Sequence, residues 1–117
     1  MIAIENRGDR VMEITATGTL ERADYEQCVP RLERAIEEQG KLRVVIRAEH
    51  LAGWTPGALL DELKFDLRHR KDLERVAVVG SGKMVEWGTK LSRPFFSGEV
   101  KYFDTSQAQQ AMDWVKG

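Results

Sequence analysis

Ile2 and Ile4 alternate with Ala3 and Glu5, and Met12, Ile14 and Ala16 alternate with Glu13, Thr15 and Thr17. A period of two sends alternate side chains to opposite faces, so both stretches are expected as half-buried strands. Between them lies Asn6-Arg7-Gly8-Asp9, in which Asn6 and Gly8 take positive φ at low cost. That predicts a hairpin and an antiparallel start to the sheet. Past Gly18 the period changes. Tyr25, Val29, Leu32 and Ile36 recur every three or four residues, one face of an amphipathic helix that Gly40 ends. Pro30 lacks an N–H and removes one helical hydrogen bond, which predicts a kink or a late helix start at that point.

Leu42 to Ile46 is a short β-branched run interrupted only by Arg43, and Val76 to Val79 and Val100 to Phe103 are two further strand candidates. Thr55 followed by Pro56 supplies an N-cap and a first-turn proline for a helix carrying Leu60, Leu63 and Leu67 inward. Its continuation, Asp66 to Arg75, reads as a polar surface stretch. Met84 to Leu91 predicts a shorter helix, closed by Ser92-Arg93-Pro94 because the residue before proline disfavours the α region. Ser106 and Gln109 stand at capping-box spacing, and Ala108, Ala111, Met112 and Val115 then trace the inner face of a last helix.

The order is β-β-α-β-α-β-α-β-α, which predicts an α/β fold: a mixed, mostly parallel sheet of about five strands with flanking helices and right-handed crossovers. No internal repeat, low-complexity tract or linker interrupts the 117 residues, so residues 1–117 are expected to form one domain.

Composition narrows the function. Eighteen basic against nineteen acidic residues give a formal charge of −1, so the chain lacks the global electrostatic footprint of a nucleic-acid binder. A single cysteine, Cys28, forms no intrachain disulfide. The N-terminal segment reaches charge at Glu5, without the apolar core of a secretory signal. Uncharged stretches fall far short of the roughly 20 residues that span a bilayer. A cytoplasmic protein is therefore expected.

Candidate chemistry is sparse. Gly80-Ser81-Gly82-Lys83 is expected between a strand and a helix, where a phosphate-cradling loop would lie, but the pattern departs from a P-loop at Ala77 and Met84 and reads as a structural turn in preference to a weak anion site. His50 and His69 are not at ligand spacing from each other or from Cys28, so no metal and no cofactor is expected; His50 reads as a solvated loop residue. No G-x-S-x-G elbow or Cys-His pair specifies a nucleophile, and Asp61, Glu62 and Asp66 share a helix with Lys64 and Arg68 as a salt-bridged face. The expectation is a protein that is not an enzyme. From Lys83 to Phe96, the aromatics Trp87, Phe95 and Phe96 accompany Lys83, Lys90 and Arg93. Such a segment either fills the core with its rings or lays them on a membrane while the cations meet anionic headgroups.

Gly18 with Ala23-Asp24-Tyr25-Glu26, Gly53-Trp54, the run from Glu62 to Asp66, Glu74 to Gly80, Glu86-Trp87, and Tyr102-Phe103-Asp104 followed by Ala111 and Trp114 together resemble the SpoIIAA-like family, which is related to the STAS domains. The resemblance runs through nearly the whole chain. It implies successive βα units stepping in one direction, and a non-enzymatic domain. Through the likeness of that fold to lipid-binding CRAL-TRIO domains, it also implies a small nonpolar or amphiphilic ligand and peripheral association with the inner face of a membrane. On these grounds Trp54, Phe65, Trp87, Phe95 and Phe96 are candidate ligand contacts, and Lys83, Lys90 and Arg93 candidate membrane contacts.

The resemblance implies an alternative as well. In partner-switching anti-sigma-factor antagonists, a serine at the start of the helix after the third strand is phosphorylated by a cognate kinase. The corresponding stretch here is Gly53-Trp54-Thr55-Pro56-Gly57, where the paired-serine pattern is absent and Thr55 is the nearest hydroxyl. Thr55 is thus a candidate regulatory site of a protein-interaction module, beside its plain reading as an N-cap. The partners left open are a small nonpolar ligand, a membrane surface, a regulatory protein and a second copy of the chain.

Overall fold

A computed structural model describes residues 1–55, 57, 71–80 and 99–117, with Glu49, His50, Leu51 and Trp54 described in their main chain alone. Strands β1 (Ile2–Asn6), β2 (Val11–Leu20), β3 (Leu42–Trp54), β4 (Leu73–Val79) and β5 (Glu99–Phe103) form one sheet in sequential order. β1 is antiparallel to β2, and every later pair is parallel. Helix α1 (Arg22–Gln39) joins β2 to β3, and a 3-10 turn (Thr105–Gln107) leads from β5 into α2 (Ala108–Lys116). The mixed, mostly parallel sheet expected from the alternation of periods is therefore present. The two middle helices expected at 56–67 and 84–91 lie outside the described residues, apart from Gly57, which is helical.

Two apolar layers hold the sheet. Ile4, Met12, Ile14, Val44, Ala48, Val76 and Val78 share the face that α1 covers with Cys28, Leu32 and Ala35. Val11, Val45, Ala77, Val79 and Phe103 share the other face, closed by Ala111 and Val115 of α2. The register Ile4–Ile14–Ile46–Val78–Tyr102 runs one row of large side chains across all five strands. Burial of these rows is the main force that sets the pairing, since a slip by one residue would turn each apolar set toward water.

Several local expectations are corrected. In the hairpin, positive φ falls on Gly8 (81°), Asp9 (52°) and Arg10 (65°), not on Asn6. Asn6 serves through its side chain, whose Oδ1 accepts from the Gly8 amide at 2.8 Å. Helix α1 begins at Arg22, well before Pro30, because a reciprocal capping box of Glu21 and Asp24 starts it. Pro30 is exposed, as is Glu26, whose carbonyl loses its helical donor and faces water instead of a dry core.

β3 runs thirteen residues, far beyond the stretch Leu42 to Ile46. Its pairing with β2 shifts register between Thr15 and Thr17 and again between Gly18 and Thr19, each time giving β3 one extra residue. Those bulges break the alternation that would mark a strand, and they place His50 in a strand, not a loop. A third shift sets Leu42 opposite Leu73 and Arg43 opposite Arg75, with Glu74 as the extra residue. Leu73 is consequently buried at 6% exposure, although the sequence from Asp66 to Arg75 reads as polar surface.

The last helix also starts differently. Asp104, not Ser106, makes the capping box, its Oδ2 accepting from the Ser106 amide at 3.2 Å while Gln107 Oε1 accepts from the Asp104 amide at 3.0 Å. Gln109 instead donates to Asp113 at 3.1 Å.

Candidate functional site

β4 pairs with β3 only as far as Arg47 opposite Val79, whereas β2 and β3 continue together to Leu20 opposite Trp54. The two strands therefore project beyond β4 as a two-stranded ribbon. Thr55 extends that ribbon by one hydrogen bond, its amide donating to the Leu20 carbonyl at 2.8 Å. Directly after Leu20 the chain enters α1, and the guanidinium of Arg22 comes up against Gly57. A Cβ added to Gly57 would lie 3.5 Å from Arg22 Nε and 3.7 Å from its Cζ. Thr55 is half-buried, and two residues on Gly57, which is helical, has the Arg22 guanidinium against it at the same end of the sheet. Sequence reading singled out Thr55 and missed Arg22, because nothing in a chain pattern shows that the start of α1 lies against the end of β3.

Gly80 closes the neighbouring strand. Its amide donates to the Phe103 carbonyl at 3.1 Å, and its own carbonyl accepts from the Tyr102 hydroxyl at 2.6 Å. The rest of the Gly80-Ser81-Gly82-Lys83 loop lies outside the described residues.

At the opposite end of the sheet, Arg43 and Arg75 face each other in the β3–β4 ladder. Like charges in register repel, and here both are met by acceptors. Arg43 Nη1 donates to the carbonyls of Val115 at 2.8 Å and Lys116 at 3.1 Å, while Arg75 Nη1 donates to that of Trp114 at 2.7 Å. These are final-turn carbonyls of α2, which lack helical donors and form the negative end of its dipole. Glu74 adds a carboxylate 3.3 Å from Arg43 Nε. Arg75 also lies over the Trp114 ring, as does Lys101, at 5.4 and 5.9 Å from its centre. This cluster anchors a helix and contains no acid–base pair or nucleophile.

The placement of the other candidates is as follows. Phe65, Lys83, Trp87, Lys90, Arg93, Phe95 and Phe96 lie outside the described residues, and Trp54 is described in its main chain, at the end of β3. Cys28 is buried on α1. Among the described residues, no three His, Cys, Asp or Glu side chains gather as metal ligands, and no helix is long and apolar enough to cross a membrane. Asp104 has its carboxyl held below the ordinary range by hydrogen bonds from the Ser106 amide and hydroxyl.

A sequentially ordered mixed sheet, one antiparallel strand followed by parallel ones with helices on both faces, defines an α/β domain. The chain belongs to the SpoIIAA-like family, whose model matches residues 11–116. It is similar, at 35% identity and a TM-score of 0.81, to the crystal structure of an uncharacterized DUF3478-family protein with a SpoIIAA-like fold from Shewanella loihica PV-4, over 98% of this chain and 92% of that one. The unphosphorylated anti-sigma factor antagonist SpoIIAA shares the fold at 17% identity and a TM-score of 0.69, over 100% and 99% of the two chains. The phosphorylated form of the Bacillus cell fate determinant SpoIIAA does so at 16% identity and 0.65, over 98% and 99%. A search of the curated proteins finds no match.

Proposed function

We propose that residues 1–117 act as a single non-catalytic protein-interaction domain of the anti-sigma-factor-antagonist type. Its contact surface is the projecting end of β2 and β3, and a phosphate on Thr55 switches it. The observation that carries this reading is the approach of the Arg22 guanidinium to Gly57, two residues after Thr55, in a fold shared over its length with a protein solved both with and without phosphate. A phosphate on Thr55 adds about −1.5 to −2 charge. The guanidinium of Arg22, held against Gly57 two residues further on, favours that charge where it would arise. A partner that reads this surface through neutral hydrogen bonds and apolar contact then meets a dianion and is released.

The test is affinity capture from the source cells with wild-type protein, Thr55→Ala and Thr55→Glu, quantified by mass spectrometry after circular dichroism confirms equal folding. At least one protein held by wild type and Thr55→Ala should fall by about tenfold with Thr55→Glu, the cost of one like charge or unpaired buried charge at an interface. Identical capture by all three proteins removes the switch.

A ligand-holding role at the same end is a second reading. What favours it is the place of Trp54, whose main chain closes β3 opposite Leu20. In native mass spectrometry the purified protein would then carry a nonpolar adduct, and it would float with anionic vesicles at low salt. A bare mass together with no flotation disposes of it.

A further inference from the structure

We infer that β1 is a self-pairing edge, through which two copies of the chain join their sheets about a twofold axis passing between their Ile4 residues. Among the described residues, β1 is hydrogen-bonded on one side alone, to β2. Met1 and Thr17 exchange bonds of 2.8 and 2.9 Å, and the Arg7 amide donates to Val11 at 2.8 Å. With Ala3 opposite Thr15 and Glu5 opposite Glu13, odd-numbered residues direct their main-chain groups to β2. The N–H and C=O groups of Ile2, Ile4 and Asn6 therefore point away from the sheet.

An antiparallel second copy centred on Ile4 meets all of these groups. Ile4 pairs with Ile4, Ile2 with Asn6, and outward donors and acceptors face their counterparts. β1 is short and carries one charge, Glu5, but it has no proline, no lysine and no bulge in its pairing with β2. The side chains are self-complementary as well. The row from Ile4 to Tyr102 continues through the axis into the row of the second copy, and half-buried Ile2 and Val29 at this margin gain apolar neighbours. On the other face, exposed Ala3 comes opposite Glu5. Small Ala3 leaves room for that carboxylate, and Glu5 does not face Glu5 across the joint. At the ends, Met1 comes opposite Arg7, whose charges are already met by Asp24 and by Glu5 and Glu13. This fit to itself identifies a second copy as the occupant. A contact five residues long is small, so the dimer exchanges quickly and fills only at high concentration.

The register makes the test specific. Sedimentation equilibrium of the wild-type chain, Ala3→Lys and Ala3→Glu reads the monomer–dimer constant, with circular dichroism as a folding control. Ala3→Lys puts an ammonium opposite Glu5 twice over and should tighten the dimer by about threefold or more, whereas Ala3→Glu should weaken it by a similar factor. Hydrogen exchange of the wild type should slow with rising concentration at the Ile4 and Asn6 amides, and not at Ala3 and Glu5. A monomer up to about 1 mM, a concentration at which even a standard free energy near −4 kcal/mol gives half-dimer, overturns the inference. So does a dimer that answers to both substitutions alike.

Discussion

Arg75 grips Trp114 twice: Nη1 donates to its carbonyl at 2.7 Å, and the guanidinium carbon stands 5.4 Å from the centre of its indole. The main-chain bond caps the end of α2, and the ring contact presses the same helix onto β4 and β5. Arg43, one strand away, caps the next two carbonyls. Two arginines side by side in a ladder would otherwise destabilise it. The helix end makes them compatible, and they in turn supply donors to its last carbonyls.

Arg75→Met should lower stability by about 1.5–3 kcal/mol, the range for a hydrogen bond to a charged group, because the part-buried Trp114 carbonyl loses its donor. Arg75→Lys keeps the charge but not the planar fork, and should fall between the two. Urea unfolding followed by tryptophan fluorescence reads both. Equal midpoints for all three proteins would show that the clamp contributes nothing.

Leu42 is fully buried at 0% exposure, opposite Leu73 at the start of the β3–β4 pair. Leu42→Ala should cost about 2–5 kcal/mol, as a cavity opens between α1 and the sheet. Exposed Met1, in contrast, tolerates Met1→Leu within about 0.5 kcal/mol in the same assay.

Pro30→Ala should stabilise the protein by about 2 kcal/mol. It restores the bond to the Glu26 carbonyl and removes a penalty of about 3 kcal/mol, less up to about 1 kcal/mol of gained freedom in the unfolded chain. A lower thermal midpoint for Pro30→Ala would mean that Pro30 is part of how α1 seats on the sheet.

Asp104 predicts an acid-range effect. Its folded pKa is depressed, chiefly by the Ser106 amide, so its contribution is present above the unfolded value of about 3.9 and is lost as pH falls through the folded value. Carbon-detected NMR should find its carboxyl titrating below that value. Asp104→Asn should remove this part of the acid sensitivity while leaving stability at neutral pH only slightly changed. An ordinary titration midpoint would show that the cap is open in solution.

Periodicity carried much of this fold because it records burial. Period two at Ile2–Ile4 and Met12–Ala16 and period three to four at Tyr25–Ile36 reflect which side chains the sheet hides, and a reader of the chain sees that directly. Thr55 was singled out for a different reason, a threonine followed by proline where a helix is expected to start. Arg43 stood out only as a polar break in an apolar run. Its purpose appears once Val115, 72 positions along the chain, is beside it.

What the sequence by itself determined is the five strands, the first and last helices, their order and the two faces the strands present, since those follow from residues a few places apart. The tertiary structure alone decided the length of β3, the bulges that hide it, the capture of α2 by Arg43 and Arg75, and the approach of Arg22 to Gly57. Each of these depends on how far strands slide before their side chains interlock, and on which helix end a distant guanidinium can reach. Such contacts leave no periodic trace in the chain, because the partners are chosen by packing in space.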